Sequence, residues 1–486
     1  MKKSLTEFVR KHSLITISAA YLLSRLTNLT KLPIFNDEAI YLDWGWKSLH
    51  TTAGLFYSLY DAKPPFLIWI FGIFESIIHS PLFAGRLVSV IAGLLTLIGI
   101  YKVSKILEDK KAAIFASALY ITIPIFAFFD RQALMESAIA ASGIWSFYFL
   151  LQILETKKDK YLIYLGLSLG IGIFIKLQAL VFLIPIIFIL IYKKRFKPAI
   201  FSFITCLITL SPLLFQKTFW ASFGSNSRFM LSVPEILGFP FALWIKNLTA
   251  TLNVSFFHLT PFIFLLAIYG IYLLLRAKKE VLPIFFLTSI VLIIFLGRSL
   301  GTRYVSSFLA LTTIFASLAI LSFKKPLAYL ISGVAMLFPV IITALLIFSP
   351  IAYFNLLDKI TVTSQKDGYM NDWTSGYGIP ETVNYLESVS KDRQTVVGVR
   401  LDAGNPESAM FTYFNSSKNI MITYMDPRVI NPELLKLQCL FSNVPVYFVA
   451  RDGILNGLEK FFQEDIRFGK AEGSNFISVH SLKKCN

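Results

Sequence analysis

Residues 64–79 read PPFLIWIFGIFESIIH: an apolar run headed by two prolines and carrying a single acidic residue. How this run is read decides the topology. A helix needs about 20 apolar residues to cross a bilayer, and this one is short. Working outward, apolar stretches recur near 12–30, 82–101, 112–129, 137–154, 161–175, 177–192, 199–216, 259–275, 281–297, 304–322 and 327–350. Short basic clusters separate them. With eleven spans and the N-terminus inside, the inner segments carry 20 Lys/Arg and the longer outer segments before residue 351 carry 10. The clusters around Lys102–Lys111, Lys157–Lys160, Lys193–Lys197, Arg276–Lys279 and Lys324–Lys325 all fall inside. Counting 64–79 as a further span inverts every later loop and destroys that alternation. The run is therefore predicted to be an interfacial or re-entrant helix on the outer side.

Composition agrees with a polytopic α-helical membrane protein. Of the 486 residues, 55% are hydrophobic and only 15% charged, and Phe alone occurs 46 times. An average soluble chain has about 25% charged residues. Disorder, coiled coil, collagen and a disulfide scaffold are excluded. The net charge of +17 is unevenly distributed. Residues 1–350 hold 32 Lys/Arg against 14 Asp/Glu, whereas residues 351–486 hold 14 against 15. A basic excess placed between apolar runs is the positive-inside pattern and not a nucleic-acid stripe. No small-residue cleavage site follows the first span, so it reads as a retained helix rather than a signal peptide.

Two domains are expected. Residues 1–350 form the membrane unit, with long outer loops at 31–81 and 217–258. Residues 351–486 read as a soluble extracytoplasmic α/β domain. Its strand-like runs are Thr395–Arg400, Ile420–Tyr424, Val446–Ala450 and Phe476–His480, and its helix-like runs are Ile379–Ser388, Glu407–Phe414 and Pro432–Phe441. Cys206 lies in an apolar run. Cys439 and Cys485 are free to pair if the tail faces an oxidising space.

Ionisable residues at membrane depth mark function, and here they gather on the outer side. Asn36-Asp37-Glu38-Ala39-Ile40-Tyr41 follows the first span. Taken alone, an Asp-Glu pair marks a helix start, where acids meet the positive end of the dipole. It has companions. In Asp61-Ala62-Lys63-Pro64-Pro65, the prolines hold Lys63 at the membrane surface, where it can meet a lipid phosphate or simply snorkel. Asp130-Arg131-Gln132-Ala133-Leu134-Met135-Glu136 is a short charged loop between apolar runs. Gly297-Arg298-Ser299-Leu300-Gly301-Thr302-Arg303-Tyr304 adds two arginines, whose forked donors suit phosphate. Lys176 stands between two short apolar runs. His258 closes the second long loop; a lone histidine is more often structural than a metal ligand.

In this order and spacing the chain resembles the GT-C membrane glycosyltransferases, in the branch of protein O-mannosyltransferases and lipid A aminoarabinose transferases (glycosyltransferase family 39-like). The resemblance spans roughly residues 10–320. It rests on Asp37-Glu38, on Lys63-Pro64-Pro65-Phe66-Leu67-Ile68-Trp69, and on Ala84-Gly85-Arg86-Leu87-Val88-Ser89. Arg131-Gln132-Ala133-Leu134-Met135-Glu136, Lys176 and Arg303-Tyr304 complete it. Two positions depart from the pattern. Glu136 stands where relatives usually carry Asp. Ala62 stands where aminoarabinose transferases have an acid directly before Lys-Pro-Pro, with Asp61 one step earlier.

The resemblance implies a GT-C fold of about eleven transmembrane helices and transfer of a sugar from a polyprenyl-phosphate donor, with inversion. The acceptor is a lipid, glycan or protein on the outer side of the cell membrane. It implies Asp37 as catalytic base with Glu38 its neighbour, and Lys63, Arg303 and Arg131 as holders of the donor phosphate. Asp61, Asp130, Glu136, Lys176 and Tyr304 are further site candidates, and His258 is the single position offered to a divalent metal. The chemistry suits these residue types. A sugar phosphate leaves readily once Lys and Arg neutralise it. One carboxylate then suffices to deprotonate a hydroxyl, unlike the pair used in glycoside hydrolysis. No Gly-rich nucleotide loop appears, which suits a lipid-linked donor. The rival readings are a transporter or flippase for a lipid-linked sugar, and an oligosaccharide polymerase or ligase. No inverted repeat is detectable to favour a transporter.

Overall fold

The computed structural model describes residues 12–52, 54–156, 158–223, 229–361, 365–441 and 444–483. Lys2, Lys3, Arg10, Lys11 and Lys157 lie outside the described residues, as does Cys485 and with it the question of its pairing to Cys439.

A helix or a broken helix stands at each of the eleven expected stretches. Ser13–Leu26, Pro81–Leu107, Glu136–Thr156, Lys160–Ile175, Leu180–Tyr192, Phe196–Leu214, Pro261–Arg276, Val281–Leu296 and Lys325–Phe348 are continuous. The stretch expected at 112–129 is interrupted: Lys110–Thr122 ends at an extended Ile123, and Pro124–Phe129 begins behind it. Proline supplies no N–H and pushes the preceding residue out of the α region, so the break falls there. The stretch at 304–322 is Thr302–Leu309 followed by Thr312–Leu321, bent by 46°. Among the described residues four helices are long and apolar enough to cross a membrane, or up to six if each bent pair is one span. Exposed apolar side chains such as Ile15, Phe215, Leu265 and Tyr329 stud the outward faces. Such surface is a liability in water and ordinary in lipid. The chain is a multi-pass membrane protein.

The run that opened the sequence reading is the helix Phe66–Ile77, of 12 residues. At 1.5 Å per residue it is about 18 Å long, one of five shorter apolar helices among the described residues. It lies against the helix Asn36–His50 at a close crossing, where a Cβ on Gly72 would fall 2.3 Å from the Gly45 carbonyl oxygen. The second long loop is mostly helical, with Lys217–Phe223, Val233–Leu237 and Phe241–Leu259. The last of these meets Pro261–Arg276 at 112°, turning on Thr260 at φ 75.

The tail begins with two helices that the sequence reading did not separate from their surroundings, Pro350–Ile360 and Lys366–Met370. Its sheet contains the four expected strands, β1 (Thr395–Val399), β2 (Ile420–Tyr424), β3 (Val446–Arg451) and β5 (Phe476–Leu482), and one more, β4 (Phe462–Gly469). The order is β2-β1-β3-β5-β4. The first three are parallel, and β5 and β4 are antiparallel to their neighbours. β4 escaped the pattern because it is an edge strand, largely exposed, charged along Glu464-Asp465 and irregular in register there; charge and bulges protect sheet edges from further pairing. The expected helices are present as Ile379–Val389, Glu407–Phe414 and Leu434–Phe441.

The tail is fastened to the start of the helix Asn36–His50. The Thr374 carbonyl accepts from the Asn36 amide at 3.0 Å, satisfying one of the orphan donors of a first helical turn. Asn405 Nδ2 donates to the Ile34 carbonyl at 3.1 Å, Thr412 Oγ1 to the Ala39 carbonyl at 2.7 Å, and Asn415 Nδ2 to Asp43 Oδ1 at 3.0 Å. The rings of Phe35 and Tyr369 stack with centroids 4.3 Å apart.

Candidate active site

Asp37 lies in the first turn of the helix Asn36–His50, which starts directly after Pro33-Ile34-Phe35. Its Oδ2 is paired with Arg303 Nη1. Arg303 opens the broken helix Thr302–Leu309, and its Nε also reaches Glu136 Oε1 at 3.2 Å. Lys176, at the break between two short apolar helices, holds the same Glu136 oxygen at 3.2 Å. The Lys176 ammonium also lies over the Tyr304 ring, 4.9 Å from its centroid. Four segments far apart in the chain thus meet in one alternating cluster of charge.

Lys63 joins its edge. The 3-10 turn Tyr57–Asp61 ends at Ala62 in the left-handed conformation, and the Lys63 amide closes back on the Ser58 carbonyl at 3.2 Å. The Lys63 ammonium lies 4.6 Å from the Phe229 ring centroid, near enough to Lys176 for the two charges to act on one another. Asp37, Glu136, Arg303, Lys176 and Lys63 together carry one surplus positive charge. Glu136 is buried, whereas Asp37, Arg303 and Lys176 are partly open at 31%, 22% and 20% side-chain exposure. A partly open cluster with a positive balance is able to attract an anion.

The other expected site residues are placed elsewhere. Glu38, next to Asp37 in sequence, turns instead into a sealed network. Arg86 grips it through two bonds of 2.8 and 2.7 Å, and both side chains are fully buried. The amides of Phe35 and Ala133 donate to the remaining lone pairs, at 3.0 and 2.6 Å. Arg131 does not reach the cluster. Its Nη1 donates to the carbonyls of Arg25 and Thr27, at 2.6 and 2.8 Å, and its Nη2 to Asn28, at 2.7 Å, so it caps the end of the first helix. Asp130 is buried against Arg25 Nε at 3.2 Å, with Tyr120 and Ser137 hydroxyls on its other oxygen at 3.0 and 2.8 Å. Asp61 ends the turn before Lys63, and its charge bears on Tyr60. His258 is buried with Nε2 unpartnered. Among the described residues no three His, Cys, Asp or Glu side chains come together, so the position offered to a metal has no donor set around it.

Sequence reading had passed over three participants. Tyr41, one turn after Asp37, places its buried hydroxyl beside Arg303; the four-residue spacing from Asp37 was the available signal. Arg86 had been noted only within a motif. Tyr369, from the tail, has a buried hydroxyl without a partner and feels the charges of Arg303, Asp37 and Glu136; nothing in its sequence context pointed there.

Residues 62–216 match the family model described as dolichyl-phosphate-mannose-protein mannosyltransferase. That segment contains Lys63, Arg86, Arg131, Glu136 and Lys176. The structure of ArnT from Cupriavidus metallidurans in the apo state is similar, with a TM-score of 0.64 and 14% identity over 98% of this chain and 98% of that one. The same protein bound to undecaprenyl phosphate gives 0.62 and 14%, over 96% and 97%. The oligosaccharyltransferase of Archaeoglobus fulgidus in complex with Zn and sulfate gives 0.55 and 14%, over 94% and 72%. No curated protein sequence matches the chain. The chain has the GT-C glycosyltransferase fold, as its sequence led one to expect: a helical membrane unit followed by a small α/β unit.

Proposed function

We propose that this protein is a membrane glycosyltransferase that moves a sugar from a polyprenyl-phosphate donor to an acceptor outside the cytoplasm. The observation that carries the reading is the half-open Asp37 carboxylate held against Arg303 in a cluster with surplus positive charge. Lys63, Lys176 and Arg303 hold the donor phosphate. Asp37 Oδ1 has no protein partner among the described residues and takes the proton of the acceptor hydroxyl. The hydroxyl oxygen attacks the anomeric carbon, the bond from that carbon to the phosphate oxygen breaks, and polyprenyl phosphate leaves with inverted product. Glu136 keeps Lys176 and Arg303 charged and in place. Glu38 serves the fold, not the chemistry.

An apolar groove of about 520 Å³ supports a lipid-linked donor. It begins at Phe66, three residues after Lys63, and at Ile175, next to Lys176, and runs on to Trp145, Phe149 and Tyr164. We assign it to the first isoprene units of the donor. Eleven membrane crossings, a cytoplasmic N-terminus and an extracytoplasmic tail complete the proposal, supported by the alternation of basic loops. The resemblance leaves the acceptor as a lipid, glycan or protein. The test is sugar transfer in membranes of the source cell, with binding of undecaprenyl phosphate to the purified protein in parallel. Loss of transfer in Asp37→Asn with retained lipid-phosphate binding is the expected result; full transfer would overturn the assignment.

A further inference from the structure

We infer that the tail is the seat of the Asp37 helix: Tyr369, Gly376, Asn405 and Thr412 are positioning residues that fix Asp37 against Arg303. The inference rests on Asp37 being the base.

The contacts are unusually close to that residue. Ile34, Phe35 and Asn36 are the three residues before Asp37, and the tail touches each of them. Asn405, fully buried, donates from Nδ2 to the Ile34 carbonyl and also to the Thr374 carbonyl, at 3.1 Å each. The Thr374 carbonyl in turn caps the Asn36 amide. Phe35 stacks on Tyr369. Gly376 presses its backbone on that of Ile34, so closely that a Cβ there would fall 2.0 Å from the Ile34 carbonyl oxygen and 2.8 Å from its amide nitrogen. One turn further along, Thr412 holds the Ala39 carbonyl. Apart from the Phe35 stack these are grips on the backbone; they bear on where the helix begins and how it is turned about its axis.

The grip is itself braced. Glu407 begins the helix that presents Thr412 and is buried between Arg400 and Arg451, at 2.9 and 2.8 Å. Arg451 Nε also donates to the Asn405 carbonyl at 3.1 Å. The loop carrying Asn405 and the helix carrying Thr412 are therefore locked to the ends of β1 and β3. A base must stand within hydrogen-bond reach of the proton it takes, and displacement of about 1 Å can lower a rate roughly 100-fold. Loosening this seat should lower turnover while the donor still binds, since among the described residues Arg303 and Lys176 take their ion pairs from Asp37 and Glu136 and not from the tail.

The experiment uses the full chain carrying Gly376→Ala or Thr412→Val. Turnover is measured in source-cell membranes, which hold donor and acceptor. Affinity for undecaprenyl phosphate and amide hydrogen exchange at residues 36–43 are measured on the purified proteins. We expect turnover to fall roughly ten- to 100-fold, lipid-phosphate affinity to stay within about twofold, and exchange at 36–43 to accelerate. Thr412→Ser, which keeps the hydroxyl, should restore most of the turnover. Should Gly376→Ala fail to fold, Thr412→Val carries the test. Wild-type turnover in a folded variant, or turnover and lipid-phosphate affinity falling together, overturns the inference. Asp37→Asn is assayed alongside. If it is active, the reading of Asp37 as base is lost; if it is inactive while the seat variants turn over normally, only the seat is lost.

Discussion

Glu38 and Arg86 face one another as a two-pronged pair, with no solvent exposure on either side chain. Breaking such a pair by neutralising one partner leaves a buried charge and costs about 3–5 kcal/mol. Glu38→Gln should therefore lower the unfolding temperature and the yield of folded protein. Lipid-phosphate affinity per folded molecule should be unchanged, as thermal unfolding and undecaprenyl phosphate binding on the same preparation will show. A normal melting curve with abolished transfer would return Glu38 to the chemistry.

Asp37→Asn keeps shape and hydrogen bonding and removes the proton acceptor. Loss of a general base lowers the rate by about 10²–10⁴-fold. Abundance should be close to normal because Asp37 is partly open. Sugar transfer by the purified variant in nanodiscs, with donor binding assayed beside it, decides the matter.

Lys63→Ala should weaken lipid-phosphate binding. A hydrogen bond to a charged group contributes about 1.5–3 kcal/mol, or roughly ten- to 150-fold in affinity. Lys63→Arg should keep most of it. Arg131→Ala is the contrast: its guanidinium caps the first helix, so the expected loss is of stability and not of affinity. Equal affinities in wild type and Lys63→Ala would remove Lys63 from the phosphate site.

The alternation of basic loops leads us to propose that residues 351–486 lie outside the cytoplasm. A reporter fused after residue 350 that works only in an extracytoplasmic space should be active. Activity instead from a strictly cytoplasmic reporter at that position would reverse the orientation.

The tail also offers a pH test. Burial, aided by the nearby Arg451 charge, pushes the Lys470 ammonium down to about 8. The group donates to the carbonyls of Asp372 and Ser375, at 2.6 and 3.1 Å. In the unfolded chain it keeps its proton up to about pH 10.4. Between these values the unfolded state binds more protons, so this group makes the fold more stable as pH rises from about 8 to about 10.4. Below pH 8 its penalty is complete and constant. Unfolding temperatures of wild type and Lys470→Met, compared from pH 7 to 10.5, should converge or cross in that window. A constant difference would show that Lys470 does not titrate there.

The order Asp37, Lys63, Glu136, Lys176, Arg303 was legible because each charge stands beside a proline or at a break between apolar runs, where lipid permits no casual polar group. What each charge does was less legible. Asp37 and Glu38 look alike in sequence, yet neighbours on a helix point about 100° apart, and the partner that seals Glu38 away is 48 residues distant. Arg131 looks like a phosphate ligand until its hydrogens are traced to carbonyls more than 100 residues upstream. Helix breaks at Pro124 and Thr260 and the charged edge strand β4 were hidden for local reasons. Proline does not announce on which side of a span it will interrupt, and an edge strand need not alternate. The contribution of the tail was invisible, since most of its grips fall on backbone groups, at Ile34, Asn36 and Ala39, that no side-chain pattern encodes.

The clasp between Asn405 and Ile34 joins residues 371 positions apart. A chain is made from its N-terminus at about 5–20 residues per second, so Ile34 leaves the ribosome roughly 20–70 seconds before Asn405 does at that pace. Until residues 374–412 have been made, the helix carrying Asp37 lacks part of its counterpart. Late in that interval every membrane helix has been synthesised, to Phe348, yet the contacts to Ile34 and Ala39 are still to form. If turnover needs this seat, competence waits until the chain has been delivered and folded as far as Thr412. A chain stalled or clipped before that point would then carry Glu136, Lys176 and Arg303 but lack the seat for Asp37.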